Sequence, residues 1–129
     1  MKVLIVDGDW RFAQQATSYL ESKAHLVVHN TQPAKALAQS DHWQPDLVIL
    51  SAQAAGKLIE PLAGRSSRPA ILLTGNLDEY HQVWKAWQKG GDEILMKPVF
   101  HSEELHQAIV TAMENAAAGS RKPRSRASA

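Results

Sequence analysis

The stretch Met1-Lys2-Val3-Leu4-Ile5-Val6-Asp7-Gly8-Asp9 decides the fold. Val3–Val6 is a short unbroken apolar run rich in β-branched residues. A half-exposed strand would alternate apolar and polar positions. A continuous run suits a strand buried on both faces, as in a parallel sheet. Asp7-Gly8-Asp9 breaks the run. Phe12, Ala16, Tyr19 and Leu20 then recur at helical spacing over residues 10–22, and Asp9 is placed to cap that helix.

The rest of the chain repeats this strand-then-helix unit. Leu26-Val27-Val28 reads as a second strand, and Ala34, Leu37 and Ala38 mark a short helix after the Pro33 turn. Pro45-Asp46 opens a third strand, Leu47–Leu50. Residues 52–63 are less regular: Lys57–Leu62 suits about a turn and a half of helix, interrupted near Pro61. Ala70–Thr74 is a fourth strand. Asp78–Lys89 reads as a helix that Gly90-Gly91 stops. Ile94-Leu95-Met96 is a fifth strand. Ser102 is placed to cap a last helix, with Glu103 and Glu104 favourable in its first turn. Its buried stripe would be Leu105, Ala108, Ile109, Ala112, Met113 and Ala116. Such alternation predicts an α/β fold with a parallel sheet covered on both faces. The functional crevice of such a sheet lies at the carboxyl ends of the strands. Asp7, Gly8, Asp9, Ser51, Thr74, Gly75, Lys97 and Pro98 fall there.

The chain has 129 residues, enough for one domain with a real core. Its 14 basic and 13 acidic residues give a net charge of +1. Residues 1–118 hold 10 basic and 13 acidic groups, a net of −3. Arg121, Lys122, Arg124 and Arg126 make residues 119–129 a basic stretch with almost no apolar content, expected to be a disordered tail. A nucleic-acid-binding domain usually shows the reverse distribution. The chain has no cysteine, which excludes a disulfide scaffold, a thiolate metal site and a Cys nucleophile. No apolar run is long enough to span a membrane, and the amino terminus lacks a signal-peptide pattern, so a cytoplasmic protein is expected.

Val3-Leu4-Ile5-Val6-Asp7, Pro45-Asp46-Leu47-Val48-Ile49-Leu50, Leu72-Leu73-Thr74-Gly75 and Gly90-Gly91-Asp92-Glu93-Ile94-Leu95-Met96-Lys97-Pro98 together resemble the receiver domain of bacterial two-component response regulators. The resemblance runs from about residue 2 to residue 117, in order and near the family's spacing. It implies a flavodoxin-like (βα)₅ three-layer sandwich, with a five-stranded parallel sheet in the order 2-1-3-4-5. It also implies a chemistry. An Asp after the third strand takes a phosphoryl group from a histidine, acids after the first strand help hold Mg²⁺, and a Thr or Ser and a Lys receive the phosphate. The bond before Pro98 would be cis by the same resemblance.

The sequence departs from that pattern at two decisive positions. Ser51 stands where the family has its phosphoacceptor Asp, and Gly8 stands where it has a metal-binding acid. Asp9 is an acid one residue further on, better placed as a helix cap. The following segment, Ala52-Gln53-Ala54-Ala55-Gly56, lacks the family's loop residues, and Ile94 replaces a frequent aromatic. Thr74 and Lys97 remain. A serine hydroxyl is a weak nucleophile without a base, and Asp7 alone makes a poor Mg²⁺ site. The expectation is a degenerate, pseudo-receiver pocket with no catalytic residue, no cofactor, and Mg²⁺ binding weak or lost. Asp7 and Lys97 would then either pair, with Ser51 and Thr74 hydrogen-bonded beside them, or face a decayed, water-filled pocket.

Function is therefore expected to be stand-alone, phosphorylation-independent signalling by protein–protein contact, without enzymatic activity. The alternative is a switch phosphorylated on Ser51 by a Ser/Thr kinase. A small flavodoxin-like enzyme or nucleotide binder would need a Gly-rich phosphate loop, and none is present. Tyr80, Trp84 and Trp87 on the fourth helix, with Ile94, mark a possible interaction or homodimer face made with the fifth strand and fifth helix. The plainer reading is that Val83 and Trp87 are core and Trp84 is half exposed. His25 and His29 read as surface residues of an edge strand with no third metal ligand, and His101 and His106 as solvated. The tail is read as a solubilising segment or linker rather than a contact for nucleic acid, an acidic partner or lipid. Ser120, Ser125 and Ser128 beside its arginines are potential kinase targets.

Overall fold

The computed structural model describes residues 1–119. The elements in chain order are β1 (Lys2–Val6), α1 (Trp10–Ser22), β2 (Leu26–Asn30), α2 (Pro33–Trp43), β3 (Leu47–Ser51), α3 (Ala52–Ala63), β4 (Ala70–Gly75), α4 (Tyr80–Gly90), β5 (Glu93–Met96) and α5 (Ser102–Ala118). All strand pairs are parallel, in the order β2-β1-β3-β4-β5. This is the flavodoxin-like fold expected from the sequence. The basic tail assigned to 119–129 lies outside the described residues except for Gly119, which ends α5 in the left-handed conformation at φ 71°.

Strand alternation builds two cores. Val3, Ile5, Leu47, Ile49, Leu72 and Leu95 point to one face, where Phe12, Ala16 and Leu20 of α1 and Leu105, Ile109 and Ala112 of α5 cover them. Leu4, Val6, Val48, Leu50, Ile71, Leu73 and Ile94 point to the other, under α2, α3 and α4. The central strands β1, β3 and β4 are thus buried on both sides, which is why they read as unbroken apolar runs. Each fully buried Leu or Ile contributes about 1.5–3 kcal/mol.

Several local expectations change. The segment after Ser51 is not a loop: α3 begins at once and runs twelve residues, with Pro61 inside it. Pro61 cannot donate to the preceding turn, but Ala55, Leu58, Ile59 and Leu62 are buried along one face, and that packing holds the helix through the proline. A 3-10 turn, Leu77–Glu79, precedes α4, so the α-helix starts at Tyr80 rather than Asp78. His101, not Ser102, is the N-cap of α5. The Glu104 carboxylate accepts from the N–H groups of Phe100 (3.0 Å) and His101 (2.8 Å). A Cβ at Gly91 would collide with the Leu73 side chain, so glycine there is required by close packing.

Candidate functional site

Asp7, Thr74 and Lys97 leave the ends of three parallel strands and converge. Asp7 is buried, and both its carboxylate oxygens are engaged. Oδ1 accepts the N–H of Asp9 at 2.9 Å. Oδ2 accepts the Thr74 hydroxyl at 3.1 Å and the Lys97 ammonium at 2.8 Å. Lys97 Nζ also lies 3.3 Å from Asp9 Oδ2 and 4.8 Å from the centroid of the Phe12 ring, a cation–π distance. Asp9 also caps α1, its Oδ1 accepting the Phe12 N–H at 3.1 Å. Burial pushes the Asp9 carboxyl up. The Phe12 hydrogen bond and the Lys97 charge outweigh this and hold it below its ordinary value.

Ser51 does not join this cluster through its hydroxyl. It ends β3, opposite Thr74 in the register, and is largely buried. Its Oγ accepts the Ala54 N–H at 3.2 Å and so caps α3. Gly8 is exposed, with no atom within 4 Å of where a Cβ would stand. The Lys97–Pro98 bond is cis, and Pro98 is exposed.

The cluster is satisfied internally. Two carboxylates and one ammonium leave a formal net charge of −1, and the Lys97 ammonium faces both Asp7 and Asp9. The donor set does not fit Mg²⁺. Asp7 already accepts three protein donors, position 8 has no side chain, and position 51 offers a neutral hydroxyl committed to a helix cap. No group of three or more His, Cys, Asp or Glu residues suited to a metal ion occurs among the described residues.

The aromatic face is less open than its sequence suggests. Trp84 and Trp87 stack on one another, with centroids 5.0 Å apart and planes 19° apart, and both pack on the α2–α3–α4 core. Tyr80 is 38% exposed, but Ile94 is 1% exposed and is a core residue, which removes it from any docking face. Val83 is fully buried, as the packing reading has it.

Other residues carry more than their sequence pattern announces. His29 Nε2 hydrogen-bonds the Asp7 carbonyl at 2.7 Å, and its ring meets Trp10 edge-on at 4.7 Å. His106 Nδ1 lies 2.7 Å from the Tyr19 hydroxyl. Phe12, read as a core residue, also forms the wall beside Lys97. Near the amino-terminal end of β4, buried Asp92 accepts the Ile71 N–H at 2.8 Å and pairs with Arg68. No sequence signal marks that pair, because its partners lie 24 residues apart.

No family model matches the chain, and no curated protein sequence matches it significantly. Solved structures do. NtrX from Brucella abortus in complex with ADP superposes with a TM-score of 0.80 at 18% identity, over 92% of this chain and 27% of that one. The signal receiver domain of a response regulator from Bermanella marisrubri gives 0.75 at 23% identity, over 84% and 94% of the two chains. The orphan response regulator HP1043 of H. pylori gives 0.72 at 18% identity, over 88% and 96%. The chain thus has the receiver-domain fold, and its match spans about a quarter of the length of NtrX. No helix among the described residues is long and apolar enough to cross a membrane.

Proposed function

We propose that this protein is a receiver domain of the response-regulator type that acts in bacterial signal transduction without being phosphorylated, by contact with a protein partner. The observation that carries the reading is the Lys97–Asp7–Thr74 cluster, closed on itself beside a serine that caps a helix. Phosphoryl transfer needs a nucleophile and a cation that offsets developing negative charge. Ser51 has its oxygen turned to Ala54, and Lys97 is already neutralised by two carboxylates. On this reading the protein is not an enzyme, needs no cofactor and binds Mg²⁺ weakly. It works in the cytoplasm, where its partners in signalling would be.

Phosphorylation of Ser51 by a Ser/Thr kinase has little to support it. Ser51 is 9% exposed at a strand–helix junction, where a kinase would have to unwind the first turn of α3 to reach the hydroxyl. Homodimerisation through the α4–β5–α5 face is also weakened, because Ile94 is buried and the two tryptophans are spent on each other and on the core.

The test is incubation of the full chain with acetyl phosphate and Mg²⁺, followed by intact mass. No phosphoryl adduct is expected. A stoichiometric adduct would refute the proposal, and its mapping would name the acceptor.

A further inference from the structure

We infer that the cleft between α3 and α4 is the docking site for an acidic, amphipathic helix of a protein partner. The inference rests on the reading that the protein acts by protein–protein contact and names where that contact is made. The two helices pack side by side on one face of the sheet, but small side chains at their seam leave a cleft of about 200 Å³. Ala52, Ala55, Ile59 and Ala86 form its apolar part, with Gly56 exposed at its edge and Gln53 and Gln82 beside them. Lys85 and Lys89 stand on its rim, exposed and one helical turn apart.

Gly56 is the telling residue. It lies inside α3, where glycine costs stability relative to alanine. Here nothing lies within 4 Å of where the Cβ would be. The fold itself therefore gains nothing from the missing side chain, whereas a partner backbone laid into the cleft would.

Charge selects the partner. Residues 1–118 carry a net −3, yet Lys85 and Lys89 line this cleft, and Lys57 follows Gly56 on α3. Glu60 lies 3.7 Å from Lys89 in an exposed pair, and the Glu79 carboxylate lies near the Ala52 end of the cleft. The rim is thus a positive strip on an acidic domain, complementary to carboxylates spaced one turn apart on a partner helix. A few lysines beside an apolar floor suit a protein helix better than a nucleic acid, which would need more cations and no apolar seam.

The test uses two measurements on the full chain. Gly56→Ala is expected to raise the melting temperature by about 3 °C, as removing glycine from a helix should when nothing crowds the position. A fall would show that the fold needs Gly56 and would overturn the argument. Second, the ¹⁵N-labelled protein is titrated with a synthetic helical peptide of leucine–alanine seam and glutamates at i, i+4, and with its lysine counterpart. The glutamate peptide is expected to shift Gly56, Gln82, Lys85 and Lys89. The shifts should weaken at least tenfold in Lys85→Glu/Lys89→Glu and vanish in Gly56→Leu, which stays folded. Shifts elsewhere, none at all, or equal shifts with the lysine peptide or a single-stranded oligonucleotide would overturn the site. None of these outcomes depends on whether the protein can be phosphorylated, so a failure here is separable from a failure of the proposed function.

Discussion

Lys97 Nζ stands 2.8 Å from Asp7 Oδ2, with the two side chains only 5% and 3% exposed. Taking two opposite charges out of water costs several kcal/mol per ion, and attraction offsets this only where geometry and extra hydrogen bonds are good. Both conditions hold: Asp9 N–H and the Thr74 hydroxyl complete the carboxylate, while Asp9 and the Phe12 ring complete the ammonium. The Asp7–Thr74–Lys97 cluster is thus closed on itself.

Removing one partner should therefore be costly. Lys97→Met leaves Asp7 buried and uncompensated, and a loss of about 3–5 kcal/mol is expected. Adding Asp7→Asn should recover most of it. Urea unfolding followed by tryptophan fluorescence measures both. A loss below about 1 kcal/mol for the single substitution would mean that the pair is far more solvated than its burial indicates.

Ser51 is predicted to matter as a cap. Ser51→Ala should cost about 1 kcal/mol, whereas Ser51→Asn, an uncharged residue that is also a good N-cap, should cost less. Amide exchange of Ala54 should rise in the alanine variant alone. Equal protection in both variants would show that Ser51 does not hold the start of α3.

Acid should weaken the fold in two steps. Burial first, and the facing amino terminus second, push the His25 imidazole below its ordinary value, and its Nδ1 lies 2.8 Å from the Met1 ammonium. The unfolded chain then takes a proton near pH 6.5 that the folded chain still refuses. This contribution is complete above that pH and is lost as pH falls through the folded-state value. Asp9 acts in the same sense at lower pH: its stabilisation is present above about pH 4 and fades below. In His25→Gln the slope of stability between pH 7 and 5 should flatten. An unchanged slope would assign the acid sensitivity elsewhere.

The fold is legible in the sequence because each strand is an apolar run closed by a polar break, and because Asp9 sits where a cap must. The length of α3 is not, since Pro61 and a run of small residues hide a helix that only the burial of Leu58, Ile59 and Leu62 explains. At the site, Asp7 and Lys97 can be paired on paper because both follow parallel strands. The direction of the Ser51 hydroxyl cannot, because it depends on α3 starting at the next residue. The burial of Ile94 is legible, since it belongs to an apolar strand run covered on both faces, and that burial argues against its place on a docking face. The Arg68–Asp92 pair is a long-range contact with no local pattern.

Gly8 offers the most direct test. No atom lies within 4 Å of its missing side chain, so Gly8→Asp fits, and with Ser51→Asp it would rebuild the carboxylate set that Mg²⁺ needs. The measurement is an amide NMR titration of the unaltered protein and of the double variant with beryllofluoride and Mg²⁺. No shifts around Asp7, Thr74 and Lys97 are expected in the unaltered protein, and clear, saturable shifts are expected in the double variant. Saturable shifts in the unaltered protein would contradict the claim that its pocket is closed to phosphoryl chemistry.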